Sequence, residues 1–120
     1  MIHQAALSAA NLCEYSFLKH MLRYRVIIHG RNFRLKLDGK WEKFGFYTPR
    51  FANAADPVLA EHVALEDFRQ TDKYFELMEQ SLNSVEDEPV LCGEDIVQVP
   101  PDQGFEKGPP GLAFYRESNE

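Results

Sequence analysis

Alternating apolar and polar residues predict two β-strands near the beginning of the chain. Residues 22–29, with the sequence LRYRVIIH, and residues 33–37, FRLKL, both repeat with a period of two. Such alternation is typical of a strand that buries one face. The intervening GRN, residues 30–32, predicts a turn. The apolar residues predicted to share the buried face are Leu22, Tyr24, Val26, Ile28, Phe33, Leu35 and Leu37.

A third strand is predicted directly after a tight turn. The pair Asp38-Gly39 is a strong signal for a type I′ hairpin turn, because both central residues of that turn need positive φ. Residues 40 to about 47 then complete a three-stranded antiparallel meander. Phe44 and Phe46 share one face of this third strand. We therefore expect both rings to pack in the core beneath a helix.

Two helices are predicted in the middle of the chain. Asp56 suits the cap position, and Pro57 suits the first helical position, where no backbone donor is needed. Thr71-Asp72 predicts the start of a second, shorter helix. The residues expected on the apolar faces of the first and second helices are Leu59, Ala60, Val63, Ala64 and Phe68, and then Phe75, Met78 and Leu82.

The last third of the chain predicts one or two more strands. A strand is expected over residues 90–100, with a break at Gly93. The short apolar run at residues 112–115 predicts a strand that docks on a sheet edge, because an unpaired apolar edge is a liability. Pro109 and Pro110 cannot donate ladder hydrogen bonds, so pairing is expected only after them.

Together these elements predict an α+β fold, a two-layer sandwich of a mostly antiparallel sheet with helix on one face. We expect a single domain over residues 21–100 and a Pro/Gly-rich C-terminal tail with an edge strand over residues 101–120. Residues 1–20 are read as a peripheral N-terminal segment. A flexible leader, or a start codon assigned upstream of the true one, is also compatible with that stretch.

Composition narrows the class of protein. A chain of 120 residues with 44% hydrophobic residues is expected to form one domain with its own core. Two cysteines, Cys13 and Cys92, make no disulfide framework, so a reducing cytoplasm is the simpler expectation. No apolar run approaches the roughly 20 residues of a membrane helix, and we expect no membrane partner.

Charge is distributed unevenly along the chain. Residues 1–55 hold nine basic and three acidic residues, whereas residues 56–120 hold four basic and sixteen acidic ones. Such asymmetry can mark a charged binding face. The plainer interpretation is that the two halves attract each other in the fold, or that both are simply solvated.

The sequence contains no signature of catalysis or of a bound cofactor. It has no Walker A or GxGxxG stretch and no GxSxG nucleophile elbow. None of the four histidines stands at metal-ligand spacing from another histidine or a cysteine, and His62 with Glu66 would need a third ligand. Cys92 is read as a small buried residue. We therefore expect no enzyme activity, no cofactor and no metal.

One face of the predicted sheet is a candidate binding surface. The third strand, KFGFYTPRF, resembles the aromatic strand of RNA-recognition domains, whose rings stack on bases. It departs from that pattern because the glycine expected after the basic residue is missing and no helix separates the first two strands. The candidate face consists of Arg23, Arg25, Arg34, Lys36, Trp41, Lys43, Tyr47 and Arg50.

Two further resemblances carry no functional residues. The run GFYTPRFANAADPVLAEHVA resembles small uncharacterised bacterial proteins built around GFYT-x-R followed by an Ala/Asp-Pro helix start. The predicted β-β-β-α-β order is similar to the N-terminal domain of HicB-type antitoxins, although their Pro-Gly-Cys strand motif is absent here. Neither resemblance implies an activity.

The sequence thus favours a small cytoplasmic interaction or regulatory module that self-associates or binds a protein partner. The alternative is a nucleic-acid-binding module that uses the basic sheet face. The two hypotheses differ in one structural expectation. A basic face left uncovered favours nucleic acid, whereas a face covered by the acidic half or by a second subunit favours the protein module.

Overall fold

The chain forms a four-stranded antiparallel sheet with two helices on one face, which confirms the predicted α+β class. The computed structural model describes residues 21–117, so the predicted peripheral segment 1–20 lies outside the described residues. The helices come between the second and third strands. The elements are β1 (Leu22–Leu37), β2 (Lys40–Ala54), α1 (Pro57–Arg69), α2 (Asp72–Gln80), β3 (Val90–Val99) and β4 (Ala113–Arg116), with the strands in the order β3-β1-β2-β4.

The two central strands are one long hairpin. β1 and β2 pair from Leu22 opposite Ala54 to Leu37 opposite Lys40. Asp38 and Gly39 join them with φ angles of 51° and 80°, as the type I′ turn requires. At roughly 3.3 Å per residue, the 16 residues of β1 extend about 50 Å, so the hairpin is far longer than the helices that cover it.

The GRN sequence is a β-bulge within β1 and not a turn between two strands. Gly30 lies opposite Phe46 and Phe33 opposite Phe44, so β1 carries one extra residue there. Asn32 takes up the irregularity with a φ of 64°. The extra residue keeps Ile28 and Phe33 on the same buried face, although they are five positions apart.

The predicted three-stranded meander is therefore a two-stranded hairpin that continues to residue 54. The element order is β-β-α-α-β-β. It is not the β-β-β-α-β order on which the antitoxin resemblance rests. A turn and a bulge have similar local sequences, because glycine and asparagine both tolerate the backbone angles that each requires.

The core lies between the hairpin and α1. Asp56 caps this helix by accepting a hydrogen bond from the backbone N–H of Leu59 at 2.8 Å. Ala60 and Ala64 bring the helix close to the sheet. The predicted core is confirmed: Val26, Ile28, Phe44, Phe46 and Phe68 are buried, and Leu35 and Val63 are partly buried against them.

The second helix turns a different face to the core from the one predicted. Leu77 is its buried residue, and Tyr74 packs partly against the core. Phe75 is 58% exposed, and Met78 and the following Leu82 are exposed as well. The predicted apolar stripe is therefore not the buried face of the helix, and Leu82 lies beyond the last helical residue, Gln80.

The sheet extends past the predicted domain boundary at residue 100. β4 pairs with β2 through Phe114 opposite Phe46, so the predicted edge strand forms on the chain's own sheet. At the other edge, β3 is interrupted where Asp95 has a φ of 48°.

Within residues 21–117, neither helix has the length and apolar character needed to cross a membrane.

Candidate functional site

The sheet face opposite the helices, here called the open face, carries most of the predicted binding residues. Strand alternation and the pairing register place them there: Lys36 lies opposite Trp41, and Arg34 lies opposite Lys43. The predicted residues on the open face are Arg23, Arg25, Arg34, Lys36, Trp41, Lys43 and Tyr47.

Arg50 does not belong to this face, which corrects the sequence prediction. It lies on β2 in step with Phe46, and its guanidinium sits 5.3 Å from the centre of the Phe68 ring on the helix side. It donates hydrogen bonds to the hydroxyl of Thr48 and, at 2.7 Å, to the carbonyl of Pro49. Burial lowers the pKa of Arg50. The residue is only partly buried on the helix side, so its charge does not require the open face.

The hairpin tip forms the basic end of the open face. Arg34 and Lys43, two like charges, stand directly opposite each other. Lys43 pairs with Asp87 at 3.7 Å, and both side chains are partly exposed. Trp41, on the same side, is 40% exposed. The tip therefore presents an aromatic ring among cations, with a weak ion pair to Asp87 and with Glu42 and Glu117 lining the same concavity.

The C-terminal segment covers the opposite end of the face. Its contacts there are a backbone carbonyl and an aromatic ring, and not a carboxylate. Arg23 donates to the carbonyl of Gln103 at 2.5 Å and lies 4.8 Å from the Phe51 ring centre. Phe105 packs on Phe51 at 4.7 Å. Within residues 21–117, Arg23, Arg25 and Arg34 take part in no ion pair. The attraction between the two halves of the chain that the charge distribution predicted is thus not seen as ion pairs at these three arginines.

The middle of the open face holds a cluster centred on His29. Its Nδ1 lies 2.8 Å from the Glu94 Oε1, and its Nε2 lies 2.5 Å from the hydroxyl of Tyr115. The imidazole stacks on Tyr47 with ring centres 4.2 Å apart. His29 is 8% exposed although it belongs to an open sheet face. Both nitrogens and one ring face are thus held in place.

Gly45 allows Tyr115 to complete this cluster. The two residues face each other in the pairing of β2 with β4. A Cβ at position 45 would overlap the Tyr115 ring and hydroxyl. Because glycine leaves that space empty, the tyrosine lies across β2 and its hydroxyl reaches the histidine on β1.

Cys92 lies beside the histidine on the edge strand. It is paired with His29 in the sheet, and its Sγ lies 3.9 Å from the Glu94 Oε1. Burial and the neighbouring Glu94 raise the pKa of the Cys92 thiol. Burial and Tyr47 likewise raise the pKa of Tyr115. Both groups therefore favour their protonated forms, which are poor nucleophiles.

Sequence reasoning missed this cluster, although part of it was accessible. Strand alternation puts Cys92 and Glu94 on one face of β3, two residues apart. The alternation in β1 puts His29 with the basic residues. The pairing of β1 with β3 joins positions about 65 residues apart, and no local pattern fixes that register.

Comparison with known proteins gives no family for this chain. Searches of protein-family models, of curated proteins and of solved structures each found no match. The resemblance of the GFYT-x-R stretch to small bacterial proteins stays a prediction.

Proposed function

We propose that this protein is a small, non-catalytic binding module whose open face binds single-stranded nucleic acid. The observation that carries the proposal is the pair of exposed rings, Trp41 and Tyr47, among arginines and lysines on the part of the sheet face that the C-terminal segment leaves exposed. The helices occupy the other face. Single-stranded bases commonly stack on aromatic residues arranged in this way.

The spacing of the two rings suits a short strand of nucleotides. Trp41 and Tyr47 are six positions apart on β2, which corresponds to about 20 Å along the sheet. Trp41 is 40% exposed, and Tyr47 is 41% exposed although its ring stacks on those of His29 and Tyr115, so a base would meet the remaining ring surface. Stacking of a base on such a ring contributes roughly 1–3 kcal/mol and tolerates any base. The arrangement favours binding with little sequence preference.

Cations along the face supply the attraction to phosphates. Arg34, Lys36 and Lys43 surround Trp41 at the hairpin tip, and Arg31 lies exposed between the tip and the His29 cluster. Among residues 21–117, Lys43 is the one of these four cations that takes part in an ion pair. A chain with a net charge of −6 can still attract phosphates when its cations lie together on one surface.

The alternative function is a protein-interaction module, supported by the exposed apolar row on α2. Phe75 and Met78 lie exposed on α2, and Leu82 is exposed just after the helix ends at Gln80. Exposed apolar rows of this kind occur at protein interfaces. For this function we take the partner to be a second copy of the chain. In either case we place the protein in the cytoplasm, where Cys92 would stay a free thiol.

A fluorescence-anisotropy titration with a labelled 12-nucleotide oligothymidylate tests the nucleic-acid proposal. Binding should weaken steeply as salt rises, because counterions are released. Trp41→Ala should weaken binding by about 5- to 150-fold, the equivalent of one lost stacking contact. The double substitution Arg34→Ala and Lys36→Ala should reduce the slope of log affinity against log salt concentration by the amount expected for about two lost phosphate contacts.

Phe75→Ala provides the matched control, because this ring lies on the helix side and should leave oligonucleotide binding unchanged. No binding by the wild-type chain at low salt would refute the nucleic-acid proposal. Sedimentation velocity then tests the alternative: a dimer that Phe75→Glu separates would support self-association, and a monomer at all concentrations would contradict it.

A further inference from the structure

We propose that His29, Cys92 and Glu94 form a binding site for a transition-metal ion, with Zn²⁺ the best match. This inference does not rest on nucleic-acid binding, because none of its three ligands is among the residues proposed to contact nucleotides. The three residues come from β1 and the neighbouring edge strand β3, where the pairing of His29 with Cys92 brings them together.

The donor atoms lie close to the spacing that a zinc ion needs. One nitrogen, one sulfur and one carboxylate oxygen all fall within 4.8 Å of one another. The Nδ1 to Oε1 distance is 2.8 Å, and the Sγ to Oε1 distance is 3.9 Å. Bonds of about 2.0–2.3 Å in a tetrahedron place ligand atoms roughly 3.3–3.7 Å apart. Small side-chain rotations, without backbone movement, would bring the three atoms to that geometry.

The histidine is already oriented for this role. Its Nε2 is engaged by the Tyr115 hydroxyl, which leaves Nδ1 directed at Glu94. Stacking on Tyr47 restricts rotation of the ring. Metal-binding histidines usually have their second nitrogen fixed by such a partner, which sets the tautomer and raises affinity. Tyr115 would thus be a positioning residue.

The donor set selects the kind of metal. Imidazole with thiolate and one carboxylate suits Zn²⁺ and similar ions, whereas Mg²⁺ and Ca²⁺ prefer oxygen ligands alone. Three protein ligands leave one tetrahedral position for water or for a donor from a bound molecule. Because the Glu94 side chain is 43% exposed, that fourth position can be reached from solvent.

The competing explanation is a hydrogen-bonded His–Glu pair that binds no metal. It accounts for the 2.8 Å contact, and it leaves the Cys92 thiol as a weak donor to the His29 backbone carbonyl at 3.7 Å and to Glu94 at 3.9 Å. The two explanations differ in whether the thiol becomes a metal ligand. Spectroscopy that reports on sulfur coordination therefore decides between them.

Titration of the full-length, reduced protein with Co²⁺ is the test. We expect a near-ultraviolet thiolate-to-cobalt band and visible bands typical of tetrahedral coordination, both displaced by Zn²⁺. Cys92→Ser should remove the near-ultraviolet band, and Cys13→Ser should keep it. Glu94→Gln should weaken Co²⁺ binding at least tenfold, and Tyr115→Phe should weaken it about tenfold or more, as losses of an orienting partner do.

His62→Gln is the matched control, because this exposed histidine on α1 should not affect the titration. Circular dichroism of each variant checks that the fold is retained. The proposal is overturned if wild-type protein shows no thiolate band with Co²⁺, or if the band survives Cys92→Ser. Zn²⁺ binding that persists in both Cys92→Ser and Glu94→Gln would also overturn it.

Discussion

Phe46 lies at the centre of the aromatic core. It has no exposed surface, and its ring centre is 5.3–5.8 Å from those of Phe33, Phe68 and Phe114. We predict that Phe46→Ala lowers the free energy of unfolding by about 3–5 kcal/mol, because it leaves a cavity between sheet and helix. Urea denaturation measures this.

Phe75→Ala is the comparison at an exposed ring. It should change the free energy of unfolding by less than about 0.5 kcal/mol, as surface substitutions usually do. A midpoint that hardly moves for Phe46→Ala would contradict the assigned core.

Residue alternation predicted the faces of most strand residues correctly. Phe44 and Phe46 point to the core, and Lys43 and Tyr47 point away from it, as expected from a period of two. The same rule puts Arg50 in step with Phe46. Its inclusion in the candidate face was therefore wrong, because a long cationic side chain can lie on the helix side of a sheet when it packs against an aromatic ring.

At the scale of elements, the turn at the hairpin tip requires a left-handed backbone conformation at residue 39. Gly39 has a φ of 80°, and a Cβ there would meet no atom within 4 Å. The cost of Gly39→Ala is therefore conformational, and we predict a loss of about 1–2 kcal/mol in unfolding free energy. Asp38→Asn is the control, because asparagine tolerates the left-handed region and should be nearly neutral. Equal stability of the two variants in thermal unfolding would contradict this account.

Elements with strong local signals were predictable, and those set by distant contacts were not. The hairpin turn and the Asp56-Pro57 helix start follow from neighbouring residues and are confirmed. The bulge at residues 30–32 depends on Phe46 beneath it, which the local sequence does not reveal. The buried face of α2 depends on where Leu77 meets the sheet, so its apolar stripe was assigned to the wrong side.

For the whole molecule, the C-terminal segment is a structural part of the sheet. Leu112 packs against the core, Phe114 contacts Phe46, and Glu117 donates its backbone N–H to the carbonyl of Lys43 at 2.9 Å. Removal of residues 101–120 would therefore change the fold's stability as well as the exposure of the open face. Point substitutions are the cleaner probe of binding.

We predict that a chain ending at Pro100 loses roughly 2–4 kcal/mol of unfolding free energy. The loss is expected because Leu112, Phe114 and Tyr115 are partly buried in the complete chain. Full burial of one such side chain contributes about 1.5–3 kcal/mol, and partial burial contributes less. A chain ending at Glu117 is the matched control and should unfold at the wild-type urea concentration. Equal midpoints for the two truncated chains would show that β4 adds no stability.

The strand order β3-β1-β2-β4 also has a consequence during synthesis on the ribosome. The central hairpin is complete at residue 54, but its two flanking strands are made only by residues 99 and 116. At about 5–20 residues per second, both hairpin edges stay unpaired for several seconds, and the β2 edge for roughly 3–12 s. During that interval the nascent chain presents open strand edges to chaperones and to neighbouring nascent chains. The last strand then pairs with residues 44–47 of the β2 edge.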